Sequence, residues 1–257
     1  GLLNNSSTGL IEDSTFSGNT VVSFGAGILN LSSAPTIRGC TFLNNKAYDD
    51  GGGIENFAGS SPTIAACRFE SNEAYRGGGM NNWDNSSPTV TNCVFVGNTG
   101  TEEGGAVYNY NAMPSFINCT FTQNEAVGVG LGGGMYNEET AATLLNCIVW
   151  DNIPDAIYSD ADSTADVTYS DIEGGYTGTG NLDVEPLFRA PGELDVRLRA
   201  ASPCIDKGTA AGAPATDIAG VARPQGEGVD MGAYERQPAG EGEGEGEGEG
   251  EGEGAPE

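Results

Sequence analysis

Residues 67–92 read CRFESNEAYRGGGMNNWDNSSPTVTN, and from Cys93 the same pattern begins again. Working outward, Phe16, Phe42, Phe69, Phe95 and Phe121 lie 26, 27, 26 and 26 residues apart, and each opens an F-x-x-N ending at Asn19, Asn45, Asn72, Asn98 or Asn124. Cys40, Cys67, Cys93, Cys119 and Cys147 recur in the same phase, with Ser14 in the slot of the first repeat. A glycine cluster recurs at 25–27, 51–53, 77–79, 104–106 and 132–134. Each cluster is followed by an aliphatic residue and, two further on, an Asn: Ile28/Asn30, Ile54/Asn56, Met80/Asn82, Val107/Asn109 and Met135/Asn137. Pro35, Pro62, Pro88 and Pro114 add one more column.

A period of about 26 residues without helical periodicity assigns one coil of a β-solenoid to each repeat. Cys40-Thr41-Phe42 and Ile28-Leu29-Asn30 alternate in and out with period two, as strands do. The parity breaks between Ile37 and Cys40, which places a corner there. The repeat length suits three short strands and three turns per coil. The expected fold is all-β: a right-handed, single-stranded parallel β-helix with coils about 4.8 Å apart. Equivalent residues then stack into ladders of aliphatic, Cys and Phe side chains, and the Asn columns hydrogen-bond from coil to coil. Gly1-Leu2-Leu3-Asn4 aligns with Gly27-Ile28-Leu29-Asn30, so the chain is expected to begin in mid-coil, as a piece of a longer solenoid with a cap or further coils and a secretion signal before it.

The motif decays after Trp150-Asp151-Asn152. The expected organisation is a β-helix over 1–188 with divergent last coils, a Pro- and Ala-rich closing segment over 189–238, and a linker over 239–257. From Gly240 to Gly254 the sequence is a Gly-Glu dipeptide repeat. With no core-forming residue, it is expected to be extended and disordered.

Charge sharpens the functional reading. The 257 residues carry 37 Asp and Glu against 10 Lys and Arg, no His, and a formal charge of −27. Eight of the 37 acids fall in 239–257, which leaves the rest of the chain near −19. Too few cations are present to neutralise phosphates, so nucleic acid is not an expected partner. The absence of His removes the Ser-His-Asp triad, the Cys-His pair and the usual His-containing zinc sites. No apolar run approaches the length of a membrane-spanning helix.

F-x-x-N with G-G-A-[ILV], present as Gly104-Gly105-Ala106-Val107, resembles the repeat of the chlamydial polymorphic outer membrane proteins, a family of β-helical surface adhesins. More broadly the repeats resemble bacterial β-helix surface proteins with the pectate-lyase-like fold, as do Tyr169-Ser170-Asp171-Ile172-Glu173-Gly174-Gly175 and Pro186-Leu187-Phe188. Ser202-Pro203-Cys204-Ile205-Asp206-Lys207-Gly208, Arg223-Pro224-Gln225 and Val229-Asp230-Met231-Gly232-Ala233-Tyr234-Glu235 resemble the choice-of-anchor Q domain. That resemblance implies a bacterial extracellular or outer-surface location, with an anchor or another domain after the closing segment.

Five of the six Cys occupy one inward column of neighbouring parallel strands, where direct pairing is strained, so they read as buried core thiols; Cys204 has no evident partner. Phe57, Trp83 and Tyr110 each follow a ladder Asn, and Tyr48 and Tyr75 precede glycine clusters, with Arg76 beside Tyr75. Aromatics one coil apart can stack on successive sugars of a polysaccharide; the bland alternative is an aromatic stack covering a corner. Asp49-Asp50 and Glu102-Glu103 offer hard oxygen ligands to Ca²⁺, although neither a β-roll nor an EF-hand motif is present. The competing reading is a carbohydrate-active enzyme, a lyase or glycosidase acting on acidic polysaccharide. Arg76 near those acidic pairs is the one constellation resembling a lyase site, and the polygalacturonase motifs are not reproduced. The sequence therefore favours a non-catalytic surface ectodomain that binds polysaccharide or other cell-surface components and needs no cofactor.

Overall fold

The computed structural model describes residues 1–128 and 131–237. The Gly-Glu stretch lies outside the described residues. The chain winds as a parallel β-solenoid. Three sheets have seven strands each and a fourth has five. Every neighbour within them is parallel and comes from the next coil, as in Ile28↔Ile54, Ile37↔Ile64 and Phe42↔Phe69.

Each regular coil therefore holds four strands, not the three expected. In the second coil these are Ile28–Leu31, Thr36–Arg38, Thr41–Leu43 and Lys46–Ala47, which contribute to sheets 1 to 4 in that order. The additional corner lies inside F-x-x-N. Its third position is left-handed throughout, at Asn44, Ser71, Gly97, Gln123 and Asp151. This turns the chain so that the buried Asn after it starts a new strand. A two-residue strand such as Lys46–Ala47 has no alternation to show in the sequence. The corner expected between Ile37 and Cys40 is present, at Gly39 with φ 62°.

The ladders form as the columns predict. The five Phe rings stack face to face with centroids 4.4–5.2 Å apart. All six Cys are buried and free, and burial pushes the Cys93 and Cys147 thiols up. Two columns of Asn run inside the solenoid. Asn4, Asn30, Asn56, Asn82, Asn109 and Asn137 are joined at 2.8 Å from coil to coil. Asn19, Asn45, Asn72, Asn98, Asn124 and Asn152 form the second ladder. Its amides also donate to strand carbonyls, as Asn72 Nδ2 does to Phe42 O. Each buried Asn between neighbours in these two ladders is thereby paired to the coil on either side, which offsets its desolvation.

The glycine clusters answer two demands. Gly51 has φ +69°, where an L side chain is strained. At Gly53 a Cβ would strike the Gly79 carbonyl of the next coil, so close coil-to-coil approach excludes any side chain there.

After the last coil, residues 173–187 cross the solenoid's end. Leu182 N–H donates to Ser170 O, and Tyr176 packs on the core. The Pro- and Ala-rich segment that follows lies along the outer face of sheet 3. It opens with an antiparallel ribbon, Phe188–Ala190 with Asp195–Leu198. Phe188, Val196, Leu198, Cys204, Met231 and Ala233 bury against Val94, Val96 and Ile148. Three corner residues hold it: Asn92 Nδ2 donates to Thr216 O, Asn118 Nδ2 to Asp230 O, and Asn146 Nδ2 to Thr209 O. The reason is visible in Val94-Phe95-Val96 and Ile148-Val149-Trp150. Strands apolar on both faces need cover on both.

Candidate carbohydrate-binding face

The turn from sheet 4 into sheet 1 forms a ridge that folds back over the outer face of sheet 1. Asp50, Arg76 and Glu103 are neighbours along this ridge, bridged coil to coil. Beneath it, the first outward column of sheet 1 (Leu29, Glu55, Asn81, Tyr108, Tyr136) lies in register. The left-handed Gly51 presses the ridge so close that a Cβ there would stand 2.8 Å from Glu55 Cβ. Outward residues are thus buried: Glu55, Asn81 and Tyr108 are nearly inaccessible.

Arg76 sits at the centre. Its guanidinium carbon lies 5.3 Å from the Tyr75 ring, 5.6 Å from Trp83 and 5.2 Å from Tyr108, an arrangement of favourable cation–π geometry. Arg76 Nε donates to Glu103 Oε2 at 3.2 Å. Burial pushes the Asp50 carboxyl up to about 6, against the opposing pull of Arg76, and its Oδ1 is buried without a hydrogen-bond partner. Burial also holds Glu55 well above the usual carboxylate range; it accepts from Asn81 Nδ2 at 2.8 Å. Tyr108 Oη donates to Glu138 Oε2 at 2.5 Å, and burial pushes this phenol up.

The aromatic candidates divide. Tyr48 (60% exposed), Tyr75 (41%) and Phe57 (38%) present their rings to solvent. Lys46 lies over Tyr48 as Arg76 does over Tyr75. Trp83 and Tyr110 are half-buried and packed on each other at a tilt of 32°, with centroids 4.4 Å apart. Each therefore covers part of the other, and they offer a ligand less free ring surface than the exposed three. Arg76 joins the two groups, since it touches both Tyr75 and Trp83.

The family model for the right handed beta helix region matches residues 2–138. The chain belongs to the right-handed β-helix family. Comparison with curated proteins and with solved structures finds no match.

On this β-helix each acidic pair sends one carboxylate towards Arg76. Asp49 is exposed, whereas Asp50 and Glu103 face Arg76. Among the described residues no three His, Cys, Asp or Glu side chains gather in an arrangement that holds a metal ion. No helix among them is long and apolar enough to cross a membrane. Sequence reasoning missed Glu55, Asn81, Tyr108, Tyr136, Tyr158 and Glu138. The signal was available: the position just before each Asn of the first ladder turns from Leu to polar and then to Tyr along the β-helix. Tyr108, Tyr136 and Tyr158 form a continuous stack, with centroids 5.2 and 4.9 Å apart.

Proposed function

We propose that this β-helix is the ectodomain of a bacterial surface or secreted protein that adheres to polysaccharide through the ridge and outer face of sheet 1. The observation that carries the reading is Arg76 lying between the exposed Tyr75 ring and the Trp83 ring. This joins Tyr75, Trp83 and Tyr110 into one surface, with the exposed Tyr48 and Phe57 one coil before Tyr75 and Trp83 in the sequence repeat. Amphipathic rings in a row suit an extended glycan, whose sugars present apolar faces and polar rims. The coil spacing of about 4.8 Å is close to the length of one sugar in an extended chain.

Neutral glycans fit better than acidic ones. Arg76 is the cation at the centre of the face, and it is already met by Glu103 and Asp50, with Glu138 engaged close by on Tyr108. The same pairing lowers support for a lyase, since Arg76 is engaged with carboxylates and rings and Lys46 is paired with Glu73. The choice-of-anchor Q resemblance supports surface display, with 188–237 clamped to the β-helix and the Gly-Glu stretch as a spacer towards an anchor. A glycan array run with the wild type and with Trp83→Ala and Tyr75→Ala tests the reading. It expects binding to extended neutral glycans that both variants weaken. Identical profiles for all three proteins would sink it.

A further inference from the structure

A second site lies on a different face, where the flanking segment leaves sheet 3. The second outward column of sheet 3 runs Leu43, Glu70, Val96, Thr122 and Trp150 in register. Val96 is covered by the flanking segment. One coil further the cover parts, and a cavity of about 300 Å³ opens between Thr122, Trp150 and Asp151 on the solenoid and Glu185, Phe188 and Arg199 on the segment. Thr122 is 1% exposed, and its Oγ1 has no hydrogen-bond partner. A buried hydroxyl left unpaired is costly, and Thr122 is one of the residues that line the cavity. Trp150 is half-buried, packed on one side against the apolar cluster of the flank. Arg199 donates from Nη2 to Arg189 O at 2.9 Å, which uses one of its five N–H groups.

We propose that this cavity binds a single neutral pyranose, as a terminal or branch residue of a glycan. The C–H face of the sugar rests on Trp150, a ring hydroxyl pairs with Thr122 Oγ1, and neighbouring hydroxyls meet Arg199 and Glu185. The volume stands at the small end of ligand sites, which suits one ring. Asp151 and Glu185 outnumber Arg199, so a uronate is disfavoured. The site depends on neither Arg76 nor the aromatic face of sheet 1, and it stands or falls separately from it.

The chain has two tryptophans, one at each site, so each can be read alone. Trp83→Phe leaves Trp150 as the sole indole reporter. Its emission is titrated with glucose, galactose, mannose, N-acetylglucosamine and glucuronate. A saturable change with at least one neutral sugar is expected. Adding Thr122→Val, which keeps the shape and replaces the hydroxyl with a methyl group, weakens it about tenfold without lowering the melting temperature. No saturable change with any neutral sugar overturns the proposal. So does a change that Thr122→Val leaves untouched, or a response to glucuronate alone. The Trp150→Phe protein reports on Trp83 in the same titrations, so failure of either site is seen independently of the other.

Discussion

The guanidinium of Arg76 lies 5.6 Å from the centre of the Trp83 ring while its Nε holds Glu103. Arg76 thus braces an aromatic surface and neutralises an acidic ridge at once. Arg76→Ala removes three cation–π contacts and leaves Asp50 and Glu103 without their cation. The expected cost is about 1–3 kcal/mol, seen as a lower urea midpoint and an altered Trp83 emission. Arg76→Lys restores charge but not the planar stack, so it rescues stability in part and leaves the emission shifted.

The Asn ladder makes a graded prediction. Asn72 is buried; its Oδ1 accepts from both the backbone and side-chain amides of Asn45, and its Nδ2 donates to Phe42 O and Asn98 Oδ1. Asn72→Ala strands several buried groups and is expected to cost about 3–5 kcal/mol. Asn19, in the half-open first coil, bonds to Asn45 alone within its ladder. Asn19→Ala is expected to cost about 1 kcal/mol. Chemical denaturation of the two variants side by side checks the order.

Stability is expected to fall as the solution is made less acidic across a defined window. Asp50 and Asp230 are both pushed up to about 6, chiefly by burial, against about 4 in an unfolded chain. A carboxyl raised on folding binds more protons in the native state, so its stabilisation is full below about pH 4 and is lost as pH rises through about 6. The melting temperature should decline over that interval. Asp50→Asn should flatten the decline and raise the melting temperature at pH 7, where the buried carboxylate is a burden. A wild type that gains stability between pH 4 and 6 would contradict the account.

On the opposite flank, Arg223 and Glu235 form an ion pair at 2.8 Å with both side chains almost wholly buried. Arg223 also donates to Asp230 O and Gly232 O. Arg223→Met leaves Glu235 buried and uncompensated, a loss of about 3–5 kcal/mol. Because 188–237 packs on the outside of the solenoid, this loss should appear first as local opening. Hydrogen exchange is expected to rise across 188–237 while the ladder strands of the first five coils stay protected.

The solenoid was legible because its determinants are repeated: a Phe, an Asn or a glycine cluster in phase over five coils leaves one architecture. The fourth strand was hidden, since Lys46–Ala47 is two residues long and its corner changes identity from Asn44 to Ser71 to Gly97. The burial of Tyr108 and Glu55 was hidden for another reason. Alternation says which way a side chain points, and here the ridge around Arg76 covers what points outward. The flank packing was half legible: the doubly apolar Val94-Phe95-Val96 called for cover, but nothing local says that residues more than a hundred positions later supply it. The sequence named five aromatic candidates but did not reveal that Trp83 and Tyr110 pack on each other at a tilt, or that Arg76 joins Trp83 to Tyr75.

The most direct test of the proposed polysaccharide-binding face is calorimetric titration of a neutral oligosaccharide chosen from the array into wild-type protein and the Tyr75→Ala/Trp83→Ala double variant, with circular dichroism to show that both remain folded. Two lost aromatic contacts at about 1–1.5 kcal/mol each predict an affinity reduced by roughly a hundredfold with the β-sheet signature intact. A double variant that is folded and binds as tightly as the wild type would contradict the assignment of this face to polysaccharide.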